Sequence, residues 1–549
     1  MFRRIAIALF ILLTACGIPS LSTPTAAPRP TEVNLPTQAP VGPTILPSDF
    51  GKLRPSVTPV QQGQAPTSVP PTTEIPPAAP STPVPQSALP SAAQYSVALR
   101  PEFQNDINLL PGMTLYEMNW DLNATASALN GTQRVTFTNR TNQPLNEIYF
   151  RLFANYPGSE GKIDVSGVRI AGVQVQTELQ VQDTALRVPL TTPLAPNQSI
   201  QIELDYTVSA PTNDPVRYSE FTHKDWITTL PTVYPLIPAY DDQGWHLELP
   251  PPYGDLVYAD SSIYDVTITT PSQYNVIASG QLVQETKQGN QVTRRFIGAP
   301  MRDFHADISN TLIKSSNQLN GITVNSWYLP IHADAGRRAL DWVVNAIQIY
   351  QDRFGPYPFK ELDLVETPTS AGGIEYPGLI TVASNLYADP GQLNFFEFAT
   401  VHETAHQWFY SVVGNDQVNH PWLDESLVEY ASLIYFQDRY GPATGQQIQE
   451  MFFDKQYEAA RTKYGDRPAG LPISAYDEEA YGSFIYAKGP KFYQAVRDQI
   501  GDLLFFKALQ TYYQKFKYRI AQPQGLVDIF NQVSGQDITP LYKRWIQGS

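Results

Sequence analysis

The sequence predicts two folded parts in series: an all-β domain of saddle or sandwich form over residues 98–308, then a mainly helical α/β domain over 309–549. Short runs of alternating apolar and polar residues recur through the first part, separated by Pro, Gly and Asn, as strands of an all-β domain do. In the second part apolar residues recur at helical spacing instead. What precedes is a different material. Residues 17–90 hold 19 of the chain's 49 prolines, and Phe50 is their only aromatic. So little apolar surface cannot offset the entropy of ordering, and 17–97 is expected to be a disordered, extended tether.

The first sixteen residues read as an export leader. Met1-Phe2-Arg3-Arg4 is basic, and residues 5–13 form an apolar run too short for a stable bilayer span. Leu13-Thr14-Ala15-Cys16 then resembles a bacterial lipoprotein signal, in which Cys16 is lipidated and becomes the mature N-terminus. Cys16 is the only Cys in the chain, so no disulfide within the chain is expected. The expected location is the outer side of a bacterial membrane, with the lipid as anchor. The net charge of −15 with no basic patch argues against nucleic acid as a partner. Oligomeric state cannot be read from the chain.

In the β part, Tyr116 to Trp120 alternate, and Asn130-Gly131 reads as a hairpin turn ahead of the strand Gln133-Arg134-Val135-Thr136-Phe137. Further strands are expected at 168–175, 200–208, 264–269 and 292–296. His223, His246 and His305 are scattered and read as structural. Alone, this part would pass as a binding module.

In the second part a strand is expected at 321–329, a helix at 335–353 closed by Gly355-Pro356-Tyr357-Pro358, and a strand at 362–365. Gly372-Gly373-Ile374-Glu375 follows. Two glycines before a lone acid allow close approach of a substrate to the backbone, with Glu375 as a binder of positive charge. Asn394 and Glu397 have the spacing of a capping box, opening a helix for which Gly414 offers a stop.

That helix carries His402-Glu403-Thr404-Ala405-His406. Imidazoles at i and i+4 project from one side, within reach of one Zn²⁺. Glu403 lies about 100° further round, where it can act on a water held there without being a ligand. A second helix opens at His420-Pro421-Trp422-Leu423-Asp424-Glu425, with Pro in its first turn. Paired antiparallel with the first, it can return Glu425 to the metal, giving two nitrogens, one oxygen and an open position. His420 lacks a helical partner and is left out of the ligand set.

These residues carry a specific resemblance. His402-Glu403-Thr404-Ala405-His406, with Glu425 after eighteen intervening residues and inside Trp422-Leu423-Asp424-Glu425, is similar to the aminopeptidase N family of gluzincin zinc peptidases. Gly372-Gly373-Ile374-Glu375-Tyr376 matches in part the family's Gly-x-Met-Glu-Asn motif. Tyr486-Ala487-Lys488-Gly489 matches in part its Tyr-acid-Lys-Gly motif. The similarity extends from the β part to residues 534–545. It implies a thermolysin-like catalytic domain behind a saddle-like β domain. His402, His406 and Glu425 would bind one zinc, Glu403 would be the general base, and Tyr486 would stabilise the oxyanion. Glu375, with Gly372 and Gly373, would bind the free α-amine of a peptide.

Three departures stand out. Tyr376 replaces the family's Asn. No counterpart of its second amine-binding acid or amide is evident in the β part, the nearest region being 234–245. The chain ends soon after the catalytic domain, so an open cleft is expected. The leading expectation is a surface-tethered zinc aminopeptidase acting on extracellular peptides. A zinc endopeptidase and a non-catalytic surface binding protein of the same fold are the alternatives.

Overall fold

Strand Leu115–Leu122 buries Met118, Trp120 and Leu122 and turns Asn119 and Asp121 outward, the alternation of a half-buried strand. It lies near the middle of the main sheet in a computed structural model that describes residues 92–212, 220–369, 371–389 and 393–548. The leader, Cys16 and the tether through residue 91 lie outside the described residues. Residues 92–97, assigned to the tether from composition, belong instead to a 3₁₀ helix, Ala92–Ala98, whose Tyr95 enters the core.

An eight-stranded sheet runs in the order Gln281–Gln288, Gln291–Met301, Ser262–Pro271, Leu115–Leu122, Ala128–Thr138, Ser199–Ser209, Lys162–Ile170, Val173–Gln174. Leu115–Leu122 and Ser262–Pro271 pair in parallel, and the other neighbours are antiparallel. A four-stranded, a three-stranded and a two-stranded sheet complete the β-rich part among the described residues.

Asn130-Gly131 is not a turn. Both residues sit inside strand Ala128–Thr138, with Gly131 paired to Trp120 on one side and Tyr206 on the other. The Tyr206 ring lies across this glycine, so that a Cβ would stand 2.2 Å from it. Tyr206 hydroxyl accepts from Trp120 Nε1 at 2.7 Å beneath. The turn falls earlier, where Asn123 Oδ1 accepts from Ser127 N at 2.9 Å. Residues 168–175 likewise form a hairpin rather than one strand, turning at Ala171-Gly172, both with positive φ.

The second part has its own five-stranded sheet. Its strands are β1 (Ile313–Leu319), β2 (Ile322–Tyr328), β3 (Glu361–Thr367), β4 (Gly373–Ile374) and β5 (Leu379–Ala383), ordered β1-β2-β3-β5-β4. The short β4 is therefore an edge, paired only to β5. Three helices build the site: α1 (Ala333–Phe354), α2 (Leu393–Ala405) and α3 (Glu425–Tyr440). Tyr350 of α1 donates to the carbonyl of Val401 at 3.0 Å and so fixes α2 one residue before His402.

Two expectations about α2 differ from what is observed. Glu397 does not turn back as a capping partner, because its Oε1 accepts from Tyr435 at 2.8 Å and Tyr440 at 2.7 Å. The side chain of Asn394 lies outside the described residues. Nor does Gly414 stop the helix, which ends at Ala405. Gly414 instead makes room for buried Arg302, whose Cζ would stand 1.9 Å from a Cβ at that position. Arg302 joins the two parts, donating to the carbonyls of Tyr410 (2.6 Å), Ala259 (3.2 Å) and Arg519 (3.0 Å).

Candidate metal and active site

One turn of α2 separates His402 from His406, and their Nε2 atoms converge to 3.2 Å. Glu425, at the start of α3, brings Oε2 to 3.3 Å from the first and 3.5 Å from the second. Tetrahedral ligands about 2.0–2.1 Å from a zinc stand about 3.3–3.4 Å apart, so the triangle has the size of a zinc site. The proton bookkeeping agrees. His406 Nδ1 donates to the carbonyl of Phe409 at 3.0 Å, which leaves the Nε2 lone pair free. His402 Nδ1 faces Glu429 Oε1 at 3.5 Å. Glu425 Oε2 is buried, and among the described residues it makes no hydrogen bond of good geometry, facing the two imidazoles. Glu375, Glu403, Glu425 and Glu429 all lie buried around just two imidazoles. Such an excess of buried carboxylate calls for a dication, and these residues fit Zn²⁺.

Asp424 sets the start of α3. Its Oδ1 accepts from Glu425 N at 2.9 Å, and Pro421–Leu423, expected inside the helix, form a separate 3₁₀ turn before it. Burial by itself raises the Glu425 carboxyl, but the imidazoles of His406 and His402 hold it well below its ordinary range. His420 is half-buried and belongs to neither of the metal-ligating clusters found among the described residues.

Glu403 is buried beside these ligands, with a carboxylate oxygen within 4.8 Å of the His402 and His406 nitrogens. Burial, reinforced by Glu375 and Glu425, pushes its carboxyl well above the usual range. It packs directly against β4. A Cβ on Gly373 would stand 2.5 Å from Glu403 Cγ, 2.7 Å from its Oε1 and 2.4 Å from the carbonyl of Thr381. The missing side chain therefore makes room for Glu403 itself. Gly372 accepts from Ala383 N at 3.1 Å and anchors the edge.

Glu375 follows β4 and reaches the same space, with an oxygen within 4.8 Å of the ligand atoms of His406 and Glu425. Gln417 Nε2 donates to Glu375 Oε1 and to Asp424 Oδ2, each at 2.9 Å, tying this acid to the start of α3. Tyr376, where the resemblance puts Asn, stacks on His305 with ring centroids 3.9 Å apart. Its carbonyl accepts from Gln407 at 3.0 Å. Thus His305, read as structural, supports the loop that carries Glu375. His246 pairs with Asp241 and Glu248, and His223 contacts Thr228.

Tyr486 lies in a π-helical turn, Phe484–Lys488, with its ring 6.1 Å from that of His402. Ser426 Oγ holds the turn by donating to the Ile485 carbonyl at 2.7 Å. Gly489 permits this approach, since a Cβ there would stand 1.9 Å from Ser426 Oγ.

One residue of the site escaped the sequence reading. Asp255, from the β-rich part, lies against Glu425 and Glu375, and burial with these neighbours pushes its carboxyl well above the ordinary range. It sits outside 234–245, the region nearest to a counterpart of the second amine-binding acid, for which none is evident in the sequence. Its loop is pinned across the two parts by Tyr253, which donates to the Tyr476 carbonyl at 2.6 Å. The only local signal is Gly254 before a lone acid.

The Peptidase family M1 domain profile matches residues 338–545, which include the ligands, Glu403 and Tyr486. Those residues are similar to the peptidase family M1 domain. Over 299 residues it is 25% identical to Aminopeptidase M1-C of Oryza sativa subsp. japonica, covering 51% of this chain and 34% of that protein. It is 30% identical over 225 residues to Aminopeptidase N of Lactobacillus delbrueckii subsp. lactis, covering 38% and 26%. The chain spans about a third or less of the length of these curated relatives. Among solved structures, the M1 zinc metallopeptidase from Deinococcus radiodurans aligns with a TM-score of 0.59 at 19% identity. That alignment covers 79% of this chain and 93% of the other. A mutant of the same metallopeptidase bound to a Tyr-Ser-Ala substrate aligns with a TM-score of 0.58 at 20% identity, covering 79% and 94%. The similarity to aminopeptidase N-like zinc peptidases and the two-part fold drawn from the sequence are both borne out.

Proposed function

We propose that this protein is a zinc aminopeptidase that removes residues from the free N-terminus of extracellular peptides. The observation that carries the reading is the Glu375 carboxylate within 4.8 Å of two metal-ligand atoms. The α-nitrogen and carbonyl carbon of one residue are only about 2.5 Å apart. An ammonium group held on Glu375 therefore presents the carbonyl of that same first residue at the metal, leaving no room for further residues upstream. The D. radiodurans metallopeptidase solved with Tyr-Ser-Ala, a tripeptide, is consistent with this.

His402, His406 and Glu425 would hold the zinc, which when bound supplies a Lewis acid that polarises the carbonyl and acidifies water. The chain's own groups do the rest. The substrate backbone pairs along the free edge of β4. Glu403 takes the proton of the attacking water on its carboxylate, the C–N bond breaks, and the same proton passes to the leaving nitrogen. The products are an amino acid and a peptide shortened by one residue. Tyr486, beside His402, donates to the carbonyl oxygen as negative charge builds there, an interaction worth about 10²–10³ in kcat at comparable sites.

Glu375→Ala is expected to raise KM for free-amine substrates about 10- to 100-fold, the cost of one buried charged hydrogen bond, with little change in Tm. Steady-state kinetics on both forms, with thermal melts, checks this. An unchanged KM would place the amine anchor elsewhere.

The export reading belongs to the same proposal: Leu13-Thr14-Ala15-Cys16 supports a lipid anchor on the outer side of a bacterial membrane. Among the described residues no helix is long and apolar enough to cross a membrane.

A further inference from the structure

We propose that the cavity beside Glu375 is a selective pocket for a cationic first side chain, lysine or arginine. This rests on the aminopeptidase reading above and names its substrate class.

The cavity is partly open to solvent, its empty space of about 550 Å³ including some of that solvent, and it is lined from both parts of the molecule. Glu375 stands on its wall next to the metal ligands, and Phe153, Phe221 and Leu256 give it apolar sides. Asp303 and Thr232 also line it. A residue whose α-amine rests on Glu375 carries its side chain from the adjoining carbon, so this cavity lies within reach of that side chain.

The polar groups of the lining decide the chemistry. Asp303 is 1% exposed. One carboxylate oxygen accepts from the Tyr410 hydroxyl at 2.5 Å, while Oδ1 has no hydrogen-bond partner. Thr232 Oγ1, also buried, has none either. The neighbouring Arg302 does not supply the missing partner, because its guanidinium donates to the carbonyls of Tyr410, Ala259 and Arg519. Asp303 belongs to neither metal-ligating cluster. The α-amine already has Glu375, with Asp255 adjacent. An additional buried acid, unpaired and facing an apolar cavity, is costly unless a cation arrives. Burial pushes the Asp303 carboxyl up to about 7, against the opposing effects of the Tyr410 hydrogen bond and of nearby His305 and Arg302.

Lysine and arginine supply what is missing. Their methylene stems pack on aromatic and aliphatic walls, and their heads bring the charge to Asp303. A leucine or norleucine side chain would fill the apolar part and leave Asp303 Oδ1 and Thr232 Oγ1 unpartnered. A site built to bond a polar head discriminates strongly against an analogue that lacks it.

The test uses the full chain loaded with zinc and four 4-nitroanilides: lysyl, arginyl, norleucyl and tyrosyl. Norleucine is lysine without its ammonium group, so the ratio of kcat/KM for lysyl over norleucyl isolates the head. We expect a ratio of about ten or more, and its collapse toward one in Asp303→Asn. Should that variant fail to fold, Thr232→Val removes the other unpartnered polar group of the lining and should also lower the ratio. A lysyl to norleucyl ratio of one or below in the unaltered protein overturns the pocket assignment alone, as does a ratio that both variants leave unmoved. Tyrosyl substrate outpacing lysyl and arginyl also overturns it, in favour of a neutral donor. No cleavage of any of the four overturns the aminopeptidase reading, and this assignment with it.

Discussion

Glu403→Gln should lower kcat by about 10³-fold while zinc stays at one per chain, within the 10²–10⁴ range of a positioned general base. The side chain lies beside the ligands without joining the His402, His406 and Glu425 triangle, so its amide has no reason to expel the metal. Glutamine fills the same buried space against Gly373 but cannot take a proton. Zinc content by elemental analysis, together with kcat on a free-amine substrate, reads both halves of the expectation. Near-normal turnover would remove Glu403 from the mechanism. Loss of zinc along with activity would make it a ligand instead.

Gly373→Ala should be almost as damaging, although it touches no ligand. Its Cβ would meet Glu403 Cγ at 2.5 Å and Oε1 at 2.7 Å, and the Thr381 carbonyl at 2.4 Å. The carbonyl belongs to the sheet and cannot swing aside, so the base and the edge strand must shift together. Displacing a catalytic group by about 1 Å can cost about 10²-fold in rate, and overpacking a buried site of this kind costs about 1–3 kcal/mol of stability. The expected outcome is kcat down by about 10²-fold, a lowered Tm and full zinc occupancy. An alanine variant with unaltered kcat would mean that Glu403 does not act from its observed position.

The metal centre was legible in the sequence because its geometry is local. His402 and His406 are one helical turn apart, and a helix places them without help from the rest of the fold. Glu425 was recoverable because a single connection, residues 406–424, returns α3 to α2. Asp255 and Asp303 were not recoverable, since only the packing of the β-rich part on the catalytic part brings them near Glu375. Glycines misled for a related reason. Gly131 looks like a turn residue, yet it is needed in mid-strand beneath the Tyr206 ring, and Gly414 looks like a helix stop, yet it clears space for Arg302. In each case the residue that explains the glycine is remote in sequence. Gly373 was placed in the right site for a different reason than its own: the atoms nearest its missing side chain are those of Glu403 and Thr381.

The most direct test of a zinc aminopeptidase is to give the zinc-loaded full chain one peptide in two forms, with free and with acetylated N-termini, and to read the products by mass. Stepwise loss of N-terminal residues from the free form, with the acetylated form intact, is the expected result. Internal cuts in both forms would contradict it, since Glu375 would then not be selecting for a free amine.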